Sequence, residues 1–306
     1  MNEIRDMLII GSGPAGLGCA LYAARAGIDA LVVEKNPLPG GQIVNTTEVD
    51  NYLGLPGIGG FEMGDTFRRH AEKMGAEFAE DEISSVRAED GIYIVSGAKA
   101  EYKTKTVVFA MGAHRSKLGI PGEEEFTGRG VSYCATCDGA FFRNKDTVVI
   151  GGGDVAVEDA VYLAGLCSHV TLVHRRDELR AAKSVQDALF AKENVTVAWN
   201  SIPDEVTGDG VVKSLNIHNK ETGEKSEVPA SGVFIAVGMK PDSDLAEGVC
   251  DLDEKGYIIA GEDCRTSAPG VYAVGDVRTK TLRQVITAVA DGACAVTSAE
   301  AYLREH

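Results

Sequence analysis

No stretch of the sequence is apolar over the ~20 residues that a membrane-spanning helix needs. The run at Met7–Ile10 stops at Gly11-Ser12-Gly13. No cationic segment followed by an apolar stretch and a cleavage site opens the chain, so the expected location is the cytoplasm, away from any membrane. Basic residues are scarce: 30 Lys and Arg stand against 46 Asp and Glu, a net charge of −16. So acidic a surface repels phosphate backbones, and no nucleic-acid partner is expected. Aromatic residues make up only 6%, yet a hydrophobic fraction of 44% suffices for a globular core and excludes disorder. The 36 glycines have no three-residue period, which excludes a collagen-like chain. Cysteine is sparse: Cys19, Cys167, Cys250, Cys264 and Cys294 are scattered, and only Cys134 and Cys137 lie close together. That is no secreted disulfide framework, and it fits a reducing compartment with one special pair.

What is present is a strand–glycine–helix pattern, and it occurs twice. Asp6–Ile10 reads as a buried strand, Gly11-Ser12-Gly13-Pro14-Ala15-Gly16 follows without a gap, and Leu17 to Ala26 reads as a helix stopped by Gly27. Ala30–Val33 is a second strand that ends at Glu34. In such a βαβ unit Gly11 permits the tight turn, Gly13 lets a pyrophosphate approach the backbone, and Gly16 lets helix pack on strand. The free N–H groups at the helix start favour the anion. A carboxylate at the second strand's end, here Glu34, accepts hydrogen bonds from ribose hydroxyls.

The second copy runs through the strand Thr147–Ile150, the turn Gly151-Gly152-Gly153-Asp154-Val155-Ala156, a helix to Leu166 and the strand His169–Val173. Its end carries no acid. His174, Arg175, Arg176 and Arg180 stand there instead. A ribose 2′-phosphate is repelled by a carboxylate and gripped by guanidinium forks. The first unit thus suits FAD or NAD and the second NADP; the competing reading of the arginines is a solvated basic patch. Two nucleotide units suggest a flavin held permanently and a nicotinamide that visits.

The rest of the chain orders these units. Gly40-Gly41-Gln42 and Asn51 suggest close approach of backbone to a ligand, Phe61 to Gly75 has helical periodicity, and Ile83 to Tyr102 alternates as short strands. Thr106–Ala110 is a buried strand ended by Met111-Gly112, and a boundary falls near 115. Ala181 to Ala191 reads as a helix, Thr196–Trp199 as a strand, 205–229 as antiparallel strands and Gly232–Gly238 as a buried strand. The tail has a strand, Gly270–Asp276, then a long helix over Thr281–Tyr302. There Asp276 can bond a ribityl hydroxyl, and the helix start near Arg283-Gln284-Val285 can face a flavin. The tail holds no complete nucleotide unit, so it most simply completes the first sheet. The expected fold is α/β: two Rossmann-like, three-layer nucleotide-binding domains, the second (115–245) inserted into the first (1–114 and 246–306).

Between the units lies Tyr133-Cys134-Ala135-Thr136-Cys137-Asp138-Gly139. Two residues between cysteines allow a reversible disulfide. A zinc site needs two further ligands, and no second Cys pair exists, so no metal is expected. Inert buried thiols are the remaining reading. Asp138 beside a dithiol can shuttle the proton that thiol chemistry requires. Phe141-Phe142-Arg143 and Arg129 lie near enough in sequence to suggest a docking surface or, equally, core aromatics.

Together, Cys134-Ala135-Thr136-Cys137-Asp138-Gly139, Gly11-Ser12-Gly13-Pro14-Ala15-Gly16, Gly40-Gly41-Gln42, His174-Arg175-Arg176 with Arg180, and Gly275-Asp276-Val277 with Arg283-Gln284 resemble the low-molecular-weight thioredoxin reductase family over nearly the whole chain. The resemblance implies a homodimer that uses NADPH and non-covalent FAD to reduce thioredoxin or a thioredoxin-like protein through a Cys134–Cys137 disulfide, with Cys134 attacking the partner, Cys137 facing the flavin and Asp138 as acid. For FAD it implies contacts from Gly11, Gly13, Pro14, Ala15, Gly16, Glu34, Lys35, Gly41, Gln42, Asn51, Ile83, Gly112, Gly275, Asp276, Arg283, Gln284 and Val285. For NADPH it implies Gly151, Gly153, Asp154, Val155, Glu158, His174, Arg175, Arg176 and Arg180. Two residues depart from the family pattern: Val155 stands where Thr or Ser is usual and Asp154 where Asn is common, which removes a hydroxyl and adds an acid near the phosphates. The alternative is a ferredoxin- or flavodoxin-coupled flavoprotein, whose members lack the Arg cluster and generally the Cys pair.

Overall fold

The computed structural model describes residues 4–46 and 48–306. Its contacts divide the chain into two compact units: one runs to His114 and resumes at Lys240, the other is Arg115–Met239. In the first, β1 (Ile4–Ile10) sends Met7 and Ile9 to one face and Leu8 and Ile10 to the other. Both faces are covered, which is why the strand reads as a continuous apolar run. Next come α1 (Pro14–Ala26), β2 (Ala30–Glu34), α2 (Gly60–Lys73) and β3 (Glu77–Glu80). The meander β4 (Ile83–Glu89), β5 (Ile92–Gly97) and β6 (Glu101–Phe109) follows. The order β3-β2-β1-β6 is parallel throughout, and the first half of β6 pairs antiparallel with β5. Pro at the first turn of α1 gives up no intrahelical bond, and Gly27 caps its end by donating toward the Ala23 and Ala24 carbonyls.

The chain leaves through β7 (Ala113–Arg115). The second unit holds β8 (Val131–Ser132), α3 (Ala135–Asp138), β9 (Asp146–Ile150), α4 (Asp154–Ala164), β10 (His169–Val173), α5 (Lys183–Phe190) and β11 (Val195–Ala198). It continues with β12 (Ser201–Gly208), β13 (Val212–Asn219), β14 (Lys225–Pro229) and β15 (Gly232–Ile235). Its parallel sheet has the order β11-β10-β9-β15-β8, and β12, β13 and β14 form a separate antiparallel sheet. Val149 and Leu172 face one core cluster, and Val148, Ile150 and Val173 the other. The return strand β16 (Met239–Pro241) pairs with β7. The first unit resumes at Lys240, where the sequence expectation put 246.

Two tail elements differ from the sequence expectation. The strand over Gly270–Asp276 is only β17 (Val271–Ala273), parallel to the end of β6. Gly275 takes φ 75°, a left-handed conformation that favours glycine, and opens a 3-10 turn over Gly275–Val277. The helix expected from Thr281 is α6 (Val285–Glu305), because Gln284 and Thr287 form a reciprocal cap that starts it there. Helices α1 and α6 meet at glycines: a Cβ on Gly292 would lie 2.4 Å from the Cys19 nitrogen, and one on Gly18 2.8 Å from the Val289 oxygen. No helix among the described residues is long and apolar enough to cross a membrane.

Asp291 of α6 fastens the turn at Gly275. Its Oδ2 accepts from the Gly275 N–H at 2.9 Å, from Arg278 Nε at 2.8 Å and from Lys280 Nζ at 2.8 Å, and its Oδ1 accepts from Arg278 Nη2 at 2.8 Å. Burial alone would raise the Asp291 carboxyl, but the bonds from Arg278 and Lys280 outweigh it and hold its pKa below the usual value. The stabilisation is therefore complete above the unfolded carboxylate pKa of ~3.9 and is lost as pH falls through the lower folded value. Asp291→Ala leaves two buried cations unpaired and is expected to cost about 3 kcal/mol, read as a lowered urea midpoint at neutral pH. An unchanged midpoint would mean that this network does not hold the turn.

Candidate active site

In the first unit, the glycine positions are set by space. A Cβ on Gly11 would lie 2.6 Å from the Ala110 oxygen, and one on Gly16 2.0 Å from the Gly11 oxygen, so neither site accepts a side chain. A Cβ on Gly13 would meet nothing within 4 Å, which leaves the helix start open to a ligand. Gly41 closes on this opening, since its Cβ would sit 3.2 Å from the Gly13 Cα. Gly112 faces Gln42, with Nε2 3.9 Å from where its Cβ would be. Gly275 abuts the first turn of α1, 2.9 Å from the Ala15 Cβ by the same measure. Asn51 donates from Nδ2 to Gln284 Oε1 at 2.9 Å.

The Glu34 carboxylate is already oriented. Oε2 accepts from the Ser12 N–H at 2.7 Å and the Ser12 hydroxyl at 3.0 Å, and Oε1 accepts from the Asn36 N–H at 2.9 Å. A carboxylate offers about four lone-pair directions, so acceptor capacity remains for a ribose hydroxyl. The Arg283 guanidinium stacks 4.3 Å from the Tyr257 ring centroid and donates from Nη2 to the Arg278 oxygen at 3.4 Å. Its buried Nε has no hydrogen-bond partner among the described residues. An open glycine loop, a held carboxylate and an unsatisfied donor are the features a flavin dinucleotide would complete. Lys35 is exposed just past Glu34, and Ile83 opens β4, half-buried against the core cluster that holds Leu31 and Val33.

The second unit repeats the arrangement. A Cβ on Gly151 would lie 2.5 Å from both the Ala156 Cβ and the Ala236 oxygen, whereas Gly153 is open within 4 Å. The Arg180 N–H donates to the Gly152 oxygen at 2.8 Å, which brings that loop to the glycine turn. Arg175, Arg176 and Arg180 are exposed, as is Glu158 on α4. His174 is placed differently. It is buried beneath Gly152, whose Cβ would lie 2.1 Å from the imidazole ring, and its Nε2 donates to the Glu178 carbonyl at 3.0 Å. Burial pushes its pKa down, and Arg180 and Arg176 push the same way. The bonds to the Glu178 and Gly151 backbone oppose this without outweighing it, so the charged form is disfavoured while the ring props the turn from beneath. Asp154 is exposed, but its Oδ1 accepts from the Ala182 N–H at 2.7 Å, at the cap of α5. Val155, 64% exposed, makes no such bond.

Cys134 and Cys137 are joined by a disulfide, with Cα atoms 5.3 Å apart, across the first turn of α3. Gly139 seats this turn on α4, 3.0 Å from Leu163 Cδ2 at its Cβ position. Asp138 Oδ2 accepts from the Ser132 hydroxyl at 2.5 Å. Burial pushes the Asp138 carboxyl up, against the opposing pull of Ser132 and Arg115, so it holds a proton to higher pH than an exposed acid does. Asp159 on α4 is raised to about 6 by burial, with Arg115 opposing and Glu158 assisting. Phe142 is core: it meets Phe234 edge-on at 5.3 Å, so only Phe141, with Arg143 and Arg129, remains exposed of the suggested docking residues.

Sequence patterning does not reveal Ser132, Asp159, Tyr257 or Asp291, none of which belongs to a spaced motif. Ser12 lies inside the first glycine motif, but its bond to Glu34 is made by the fold.

A family model described as pyridine nucleotide-disulphide oxidoreductase matches residues 5–292. A thioredoxin reductase of Peptoclostridium litorale is 48% identical, covering 100% of this chain and 99% of its own. One from Bacillus subtilis is 44% identical, covering 99% and 96%. The crystal structure of thioredoxin reductase from Streptococcus pyogenes superimposes with a TM-score of 0.95 at 44% identity, covering 100% of both chains. Two Rossmann-like units in one chain are thus common to this protein and that structure.

Proposed function

The chain belongs to the pyridine nucleotide-disulphide oxidoreductase family, and we propose that it reduces the disulfide of thioredoxin, or of a thioredoxin-like protein, with electrons from NADPH. The observation that carries this reading is the Cys134–Cys137 disulfide, seated beside Asp138, whose carboxyl burial pushes up, in the unit that also bears the open Gly153 turn and its arginines. The ferredoxin- or flavodoxin-coupled alternative is not favoured, because it gives this pair no task.

The first unit would hold FAD non-covalently. Gly11, Gly13 and Gly16, with Pro14 and Ala15 at the helix start, would cradle the pyrophosphate, and Glu34 would take the adenosine ribose. Lys35, Gly41, Gln42, Asn51, Ile83, Gly112, Gly275, Asp276, Arg283, Gln284 and Val285 complete the proposed surround. The second unit would hold NADPH, with Gly151 and Gly153 at the pyrophosphate, Arg175, Arg176 and Arg180 on the 2′-phosphate, and Asp154, Val155 and Glu158 along the start of α4. When bound, NADPH supplies a hydride and FAD a carrier that accepts it and releases the electron pair.

The chain's own chemistry is at the dithiol. An electron pair entering the disulfide breaks the S–S bond and leaves two thiolates, one of which takes the Asp138 proton. Cys134 then attacks the oxidised partner and forms a mixed disulfide, and one partner thiolate departs and is protonated. Cys137 resolves the mixed disulfide, which reforms the Cys134–Cys137 bond and releases the partner's second thiolate. We take the working form to be a cytoplasmic homodimer. The test is steady-state NADPH oxidation with 5,5′-dithiobis(nitrobenzoate) as final acceptor: turnover that requires added thioredoxin supports the reading, and turnover indifferent to it overturns it.

A further inference from the structure

Ser132 ends β8 with its side chain 5% exposed. Its hydroxyl oxygen accepts from the Cys134 N–H at 3.1 Å. The same hydroxyl has two acceptors in reach for one hydrogen: Asp138 Oδ2 at 2.5 Å and the Cys134 carbonyl oxygen at 3.4 Å. The backbone closes the loop as well, since the Asp138 N–H donates to the Cys134 oxygen at 3.1 Å. A serine hydroxyl donates once and accepts twice. While Asp138 is ionised, that single hydrogen belongs to the carboxylate. Once Asp138 is protonated, its own O–H can donate to Ser132 Oγ, and the serine hydrogen is released toward the Cys134 carbonyl.

We propose that Ser132 is a positioning residue for the disulfide chemistry: its hydroxyl aims the Asp138 carboxyl and, by exchanging one hydrogen between Asp138 and Cys134, ties the cysteine backbone to the state of the acid. The proposal rests on the reading that the pair is reduced during turnover. As the disulfide takes up two electrons, one thiolate receives the Asp138 proton, the carboxyl becomes a carboxylate, and the Ser132 O–H turns to meet the new charge. No atom is gained or lost beyond that proton and the electron pair the reaction already supplies. The other charged group acting on Asp138 is Arg115, which also acts on Asp159 of α4, itself beside Glu158. Ser132 differs from these in touching both the acid and the Cys134 backbone.

The experiment follows the Asp138 carboxyl directly. Its C=O stretching band, isolated by infrared difference against Asp138→Asn, is titrated in the resting disulfide protein. In Ser132→Ala the midpoint is expected to rise by about one pH unit, because a hydrogen bond to the charged form is lost. The pH limb of thioredoxin reduction should move with it, and kcat should fall about tenfold. Ser132→Thr, which keeps the hydroxyl, should leave both in place. In an Asp138→Asn background, Ser132→Ala should cost less than about twofold, since the two residues act as a unit. An unmoved midpoint, or the same tenfold loss in the Asp138→Asn background, would overturn the proposal. The infrared arm needs no thioredoxin, so its result stands apart from the failure or success of the proposed activity.

Discussion

Cys134→Ser is expected to lower thioredoxin reduction by about four orders of magnitude or more, as removal of a nucleophile does where no second group can take over. A serine hydroxyl neither forms the disulfide that stores the electron pair nor attacks a partner disulfide at neutral pH. Cys137 cannot substitute, since alone it can make a mixed disulfide but has no neighbour to resolve it. The other five cysteines offer no rescue: Cys19, Cys167 and Cys264 are buried, with burial pushing their thiols up, and neither Cys250 nor Cys294 is paired with a second thiol. The assay is thioredoxin-dependent reduction of 5,5′-dithiobis(nitrobenzoate). Flavin content per chain is the control for folding, because none of the proposed FAD-holding residues is altered. Residual activity above a few per cent of wild type would contradict a covalent role for Cys134.

The second large effect concerns cofactor choice. Charge-assisted hydrogen bonds are worth about 1.5–3 kcal/mol each. Solvent screens the exposed Arg175 and Arg176, so about 2–4 kcal/mol for the pair is the reasonable scale. Arg175→Ala with Arg176→Ala is therefore expected to shrink the NADPH-over-NADH ratio of kcat/KM by about 30- to 1,000-fold. Most of the change should be in NADPH, since NADH has no 2′-phosphate to lose. His174→Ala is expected to behave otherwise: the imidazole under Gly152 props the turn, so its loss should weaken both cofactors together and leave the ratio nearly unchanged. Discrimination that survives the double arginine change would place the 2′-phosphate elsewhere.

The features legible in the sequence are those that depend on neighbours along the chain. Gly11, Gly16 and Gly151 stand where a Cβ would strike the backbone or an adjacent alanine, and the tight turn that forces this is written in their spacing. The apolar runs at Met7–Ile10 and Val148–Ile150 are legible for a related reason, as parallel strands covered on both faces carry no polar alternation. The burial of His174 is not legible from the two arginines it abuts in sequence: the first residue past β10 turns inward beneath Gly152 while Arg175 and Arg176 turn outward. The tail strand is shorter than its pattern suggests because Val274 continues the apolar run of β17 without belonging to the strand. What stops it is the Gly275 N–H bond to Asp291, a residue on the following helix. Asp291 is invisible for the same reason, since a lone aspartate has no signature until folding delivers its partners, and Ser132 is invisible because a serine two residues before a cysteine marks no motif.

In the proposed reaction everything depends on electrons from NADPH reaching the Cys134–Cys137 pair. Anaerobic titration with NADPH or dithionite, followed by flavin absorbance and free-thiol count, measures this without a partner protein. Uptake of about four electrons per chain is expected, two at the flavin and two at the disulfide, with two new thiols appearing. Uptake of only two electrons with no new thiols would contradict it.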